Sequence, residues 1–237
     1  MQKMDENNIK SLIRCYAQQR GIEQLLHFTR LENLPSIIQH GLLPRSYIRN
    51  YNIRCNFNDN KRLDGLEDAI CLSISFPNYR LFYKFRKQYT SSAWIILEID
   101  PTLLWEYECI FCIHNAASSL VSRKSTEERK TFEEFKKIFE DLPDINIKRE
   151  NLPDSYPTSP QAEVLVTQRI PLSLIRQIYT NNKTIMDYLQ RCRYPIPCSL
   201  NYQFFGPRCD WQKFWNVITN PLTNPRELNY IVKIFGL

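Results

Sequence analysis

Three small groups of residues in this chain combine types and spacings that chemistry can use. His27 and Thr29 stand two apart in the run Leu25-Leu26-His27-Phe28-Thr29, so in a strand they share one face while Phe28 points to the other. An imidazole beside a hydroxyl makes a face suited to a polar ligand. Ser36 follows in Asn33-Leu34-Pro35-Ser36, where Asn33 and Pro35 mark a helix start. Free backbone N–H groups and the helix dipole favour an anionic group there, and a pyrophosphate fits. Far along the chain, Ser159-Pro160-Gln161-Ala162-Glu163 opens an apolar run. That placement holds one carboxylate rigidly at the mouth of a site. Each residue also fits an ordinary role: a buried histidine satisfied by backbone, or a solvent-facing edge glutamate.

Cationic residues form a second set. Arg62, in Asn60-Lys61-Arg62-Leu63-Asp64, is placed to fold over a phosphate or an anionic substrate, or else is a surface loop charge. Arg80, Lys84, Arg86 and Lys87 interleave with Tyr79, Phe82, Tyr83, Phe85 and Tyr89. The mixture suits phosphate contacts and base stacking on single strands, and equally a helix with an aromatic core face and a cationic outer face. Cys109-x-x-Cys112 with His114 resembles half a zinc site. No second pair stands at ligand spacing, so core packing is the expected role and no metal is expected.

Elements must position these groups. Ile9, Leu12, Ile13 and Tyr16 give helical spacing over residues 5–20, with Asn7 or Asn8 as cap and Gly21 as terminator. A strand over 25–29 leads to a helix that Gly41 ends. Residues 46–68 are polar, carry no sustained period, and are expected to be a loop. Ile70, Leu72, Ile74 and Phe76 alternate with Cys71, Ser73 and Ser75, the period of a half-buried strand. A helix is expected from Asn78 to about Lys87, a central strand over 94–99, a third strand over 109–113, and a charged surface helix over 126–141. Residues 142–160 carry Pro143, Pro153, Pro157 and Pro160 and read as a long irregular loop. Strands over 162–167 and 176–180 and a helix over 183–191 follow. Residues 193–209 are rich in proline and aromatics, and 210–237 read as two short helices. The expected division is a main domain over 1–192 with an aromatic-rich helical appendage over 193–237 packed on it. Strands mixed with helices in no regular alternation indicate an α+β class.

Composition narrows the function classes. A chain of 237 residues with 43% hydrophobic content buries a full core. Its 5 Gly against 14 Pro leave almost no material for a glycine-rich phosphate loop, so ATP binding by that route is excluded. The N-terminus lacks the apolar core of a signal peptide and no stretch reaches membrane-spanning length, which points to the cytoplasm and to no membrane partner. The eight cysteines are then expected to be reduced thiols. A net charge of +6 welcomes an anionic partner without specifying one.

The segment from His27-Phe28-Thr29-Arg30-Leu31-Glu32-Asn33-Leu34-Pro35-Ser36 to Gly41-Leu42-Leu43 resembles the N-terminal signature of the DarT family of DNA ADP-ribosyltransferase toxins. Pro160-Gln161-Ala162-Glu163-Val164-Leu165-Val166, followed by Ile170-Pro171-Leu172, resembles that family's catalytic-glutamate segment. The similarity runs over about residues 23–190 in order and spacing.

The resemblance implies an ADP-ribosyltransferase-like split β-sandwich with flanking helices, NAD as co-substrate and no metal. It implies that His27, Phe28 and Thr29 hold the nicotinamide ribose end, that Ser36 lies near the cofactor, and that Glu163 is catalytic. Arg62 matches the family's arginine between the first helix and the period-2 strand, with Arg54 as its rival. The loop before Glu163, with Pro160 and Gln161, would recognise substrate together with Tyr79, Arg80 and Tyr83. Family members modify thymidine or guanosine in single-stranded DNA and are commonly neutralised by a macrodomain antitoxin. Ile74-Ser75-Phe76-Pro77-Asn78-Tyr79 is closer to the guanosine branch. Rival readings are a transferase acting on RNA or protein, and a non-catalytic nucleic-acid-binding module.

Overall fold

The computed structural model describes residues 6–58 and 65–211. Its first helix, α1 (Glu6–Gln19), buries Ile13 and Ala17, and Gly21 at φ +64° ends it in the left-handed region. Strand β1 (Leu25–Arg30) runs through a 3-10 turn into α2 (Leu34–His40), which Gly41 terminates. Within the polar stretch expected to be loop lies α3 (Arg45–Asn50), a helix with no buried residue. Without a buried face it leaves no apolar period in the sequence.

Next come β2 (Ile70–Ile74), α4 (Tyr79–Gln88) and β3 (Trp94–Ile99). Short elements follow: α5 (Leu103–Glu106), β4 (Cys109–Cys112), α6 (Ser119–Ser122) and α7 (Phe132–Lys137). The helix expected over 126–141 is thus a 3-10 turn, Glu127–Lys130, broken from α7 at Thr131, whose hydroxyl caps α7 by accepting from Glu134 N–H. β5 (Glu163–Val166), β6 (Ile175–Thr180), α8 (Lys183–Cys192) and β7 (Cys198–Leu200) complete the order.

Among the described residues seven strands form one hydrogen-bonded series, β4-β5-β2-β1-β3-β6-β7. All pairs are antiparallel except β6 with β7. β1 pairs with β3 along its whole length, from Leu25↔Ile99 to Arg30↔Trp94. With β2 it pairs only at Leu25↔Ile74 and Leu26↔Ser73, after which the two strands part. The expected split lies at this wedge.

Alternation along β1 sends Leu25 into the larger core, which includes buried residues of α1, α5 and α7, and Leu26 into an aromatic layer on the other face. That layer packs Phe82 and Phe85 of α4 with Trp94, Phe204 and Phe205. Phe204 and Phe205, like β7, lie beyond the boundary expected at 192, yet both belong to the body of the sheet and its cover. The two helices expected over 210–237 fall almost wholly outside the described residues.

Candidate functional site

Where β1 and β2 part, a cavity of about 360 Å³ opens, within the range of small-molecule clefts. His27, Phe28 and Thr29 line it from β1, Cys71 and Ser73 from β2, Ser36 from α2, and Glu163 from the start of β5. His27 spans the wedge: its Nδ1 lies 2.9 Å from the Cys71 carbonyl oxygen. A carbonyl only accepts, so Nδ1 carries the proton and Nε2 is left as an acceptor. Burial pushes the His27 pKa down, which keeps the ring neutral.

Thr29 is buried, and its hydroxyl accepts from Asn33 Nδ2 at 3.0 Å. Asn33 marks the helix start without capping it through its side chain. Its amide is committed elsewhere: Nδ2 also donates to the Asn56 carbonyl at 3.0 Å, and Oδ1 accepts from Asn56 N–H at 2.7 Å. One side chain thereby ties β1 to the loop 53–58 that walls the cavity.

Glu163 is 6% exposed and sits on a central strand, since β5 lies between β2 and β4. Asn78 Nδ2 donates to its Oε1 and Ala116 N–H to its Oε2, each at 3.4 Å. Asn78 is held in turn by Leu81 N–H, which donates to its Oδ1 as the cap of α4, and by its own N–H to Ser73 Oγ at 3.0 Å. Two donors at long range thus help to orient the carboxylate.

The loop ahead of Glu163 is ordered by side chains. His114 Nδ1 lies 2.6 Å from Ser159 Oγ, and Gln161 Nε2 lies 3.3 Å from His114 Nε2. An amide nitrogen only donates, so Nε2 accepts and Nδ1–H donates to Ser159, whose oxygen also accepts from Gln161 N–H at 3.1 Å. His114 is thus neutral, and burial, aided by the nearby Arg80 charge, lowers its pKa to about 4. Among the described residues no group of three or more His, Cys, Asp and Glu is placed to hold a metal ion. Cys109 and Cys112 are core residues of β4.

The structure brings His27, Phe28, Thr29, Ser36 and Glu163 to one cavity. Gln161 and Pro160 lie on the adjoining loop. The helical period places Tyr79 with Phe82 and Phe85 on the buried face of α4. Tyr83 is half-buried, with Arg86 and Lys87 against its ring, and is not part of the cavity wall. Leu81, Lys84 and Phe85 are the α4 residues that reach it, with Asn78 from the cap. Arg62 lies outside the described residues. Arg54 is exposed and does not itself line the cavity, while Arg45 lines it with its guanidinium over the Phe57 ring at 4.7 Å.

Asn33 and Asn78 are read from sequence only as helix starts, and His114 only as a companion of Cys109 and Cys112; none of the three is singled out there as a site residue. Asn78 had a readable signal in Pro77-Asn78 directly before a helix, which marks a cap but not the carboxylate behind it.

A family model described as ssDNA thymidine ADP-ribosyltransferase, DarT, matches residues 26–195. Among solved structures, Thermosipho africanus DarTG in complex with ADP-ribose is similar with a TM-score of 0.54 at 21% identity, covering 77% of this chain and 51% of that one. Thermus sp. 2.9 DarT in complex with carba-NAD+ gives 0.53 at 14% identity, over 78% of this chain and 98% of that one. The same Thermus protein in complex with ADP-ribosylated ssDNA gives 0.50 at 14% identity, over 78% and 97%. The chain thus spans about half the length of the DarTG chain it resembles, and at these identities the likeness is one of fold. No curated protein matches by sequence. Among the described residues no helix is long and apolar enough to cross a membrane.

Proposed function

The chain belongs to the DarT family, and we propose that it transfers ADP-ribose from NAD to a base of single-stranded DNA. The observation that carries this reading is a buried glutamate in the same cavity as a neutral histidine and a buried threonine, at the wedge where the sheet splits. NAD lies in that cavity with its nicotinamide ribose toward His27, Phe28 and Thr29 and its phosphates toward Ser36. Nε2 of His27 accepts a ribose hydroxyl.

Breaking the bond between nicotinamide nitrogen and ribose C1′ builds positive charge on the sugar, and a nearby carboxylate stabilises that charge. Neutral nicotinamide leaves. The base nitrogen forms the new bond to C1′ and gives up its proton to Glu163, which a weak nucleophile needs during attack. Arg62 positions phosphate. Pro160, Gln161, Arg80 and Tyr83 contact the acceptor strand.

The acceptor base is the finer part of the reading. The segment 74–79 supports guanosine, and the description of the matching family model supports thymidine. A macrodomain antitoxin that removes the modification is the proposed partner, and the cytoplasm the proposed location.

Mass spectrometry of oligonucleotides of each base composition, after incubation with protein and NAD, tests the reaction and its acceptor base. The expected result is the mass of one ADP-ribose on guanosine- or thymidine-containing DNA. Label from NAD appearing only on RNA or protein overturns DNA as the acceptor. Salt-sensitive DNA binding without any NAD turnover overturns the enzyme.

A further inference from the structure

The loop before Glu163 bonds to its own carbonyls at two points, Tyr156 N–H to Pro153 and Ala162 N–H to Ser159. Proline at 153, 157 and 160 removes N–H donors there, so the loop's carbonyls need further donors from elsewhere. Arginines supply them. Arg149 donates through Nη1 to the Tyr156 carbonyl and through Nη2 to those of Pro153 and Asp154. Arg208 takes the half nearest the catalytic glutamate: Nη1 donates to the Pro157 carbonyl at 2.6 Å and Nη2 to the Thr158 carbonyl at 3.1 Å.

Arg208 is 1% exposed, and its remaining face is filled by Asp210, whose two oxygens accept from Nε and Nη2 at 2.6 Å each. Its backbone follows the aromatic pair Phe204 and Phe205, and Arg86 of α4 donates to the Phe205 carbonyl at 2.6 Å. The next residue along the clamped loop is Ser159, the fully buried partner of His114 and Gln161. A buried ion pair contributes little net stability compared with apolar packing of the same volume, whereas it fixes geometry tightly.

We propose that Arg208, which lies beyond the residues matched by the family model, is a positioning residue. It holds the loop 157–161 against the mouth of the cavity and so directs ADP-ribose to the DNA base instead of to water. The inference rests on the transfer reading above.

The test is the ratio of transfer to NAD hydrolysis, which does not depend on how much of a preparation is folded. It is measured with a single-stranded oligonucleotide for wild type, Arg208→Lys, and the double variant Arg208→Met with Asp210→Leu, which leaves no orphaned buried charge. The expected result is a ratio lower by about tenfold in Arg208→Lys, the worth of one lost charge-assisted hydrogen bond, and by more than that in the double variant, which loses both bonds to the loop. The KM for oligonucleotide rises and the KM for NAD stays put. An unchanged ratio, or both activities falling in proportion, makes Arg208 structural and overturns the inference alone. Wild-type protein that transfers to no oligonucleotide overturns the functional reading and this inference with it.

Discussion

Glu163 is the residue on which the proposed chemistry turns, and its neighbours determine what removal of its charge does. Two donors, Asn78 Nδ2 and Ala116 N–H, face the two carboxylate oxygens. Glutamine keeps the volume but satisfies only one of them while removing the negative charge that the developing cation needs. Glu163→Gln is therefore expected to fold and to lose transfer by roughly 10²–10³-fold or more, in the range of deleted electrostatic contacts in other active sites. Rates on a labelled oligonucleotide, with near-ultraviolet circular dichroism as the fold control, check it; wild-type turnover in this variant rules out the role. His114 carries a second expectation. Its pKa is lowered to about 4 against an ordinary value near 6.5, so the unfolded chain binds a proton that the folded chain refuses. Its contribution to stability is complete above about pH 6.5 and is lost as pH falls toward about 4, at no more than roughly 1.4 kcal/mol per pH unit. Urea midpoints at pH 7, 5.5 and 4.5 should flatten in His114→Gln, and an equal slope in both proteins removes His114 as the source.

At the scale of elements, the strands were legible from their apolar positions, alternating in β2 and near-continuous in β3, although Ser73 on the polar face of β2 is buried as well. Ile70, Leu72 and Ile74 are buried as that alternation requires, and α4 follows its aromatic period, placing Tyr79, Phe82 and Phe85 inward. The same period explains why Tyr79 is core. Helix α3 and the clamped loop were illegible for the opposite reason. One has no buried face, and the half of the other next to Glu163 is held by Arg208, distant in sequence, a pairing that leaves no local pattern. Gly41 is the element-level signal that carries most. It ends α2 at φ +75°, and a Cβ built there would lie 2.2 Å from the Ile170 carbonyl oxygen, beside the antiparallel bridge Leu42↔Ile170. Gly41→Ala meets both the left-handed backbone and a backbone clash. A loss of at least about 2 kcal/mol is expected, read as a lower urea midpoint. A midpoint equal to wild type means that the bridge yields without strain.

At the scale of the molecule, the cavity exists because one sheet is held across its middle by only two residue pairs, Leu25↔Ile74 and Leu26↔Ser73. The parting strands must be braced from outside. On one face the helices of the larger core do this, and on the other the aromatic layer does, with Phe205 against Phe82 at 5.3 Å and Phe204 against Phe76 and Tyr179. Two buried aromatics of that second brace, Phe204 and Phe205, come from residues after 192. A chain ended at 192 loses β7, both phenylalanines and the Arg208 clamp together. Truncation of one buried phenylalanine costs about 3–5 kcal/mol in other cores, against a total stability of roughly 5–15 kcal/mol. The shortened chain is therefore expected to lack a cooperative urea transition, while full-length Phe205→Ala keeps one at a lower midpoint. A native near-ultraviolet spectrum and a sharp transition in the 1–192 chain would instead make the residues after 192 a separable appendage.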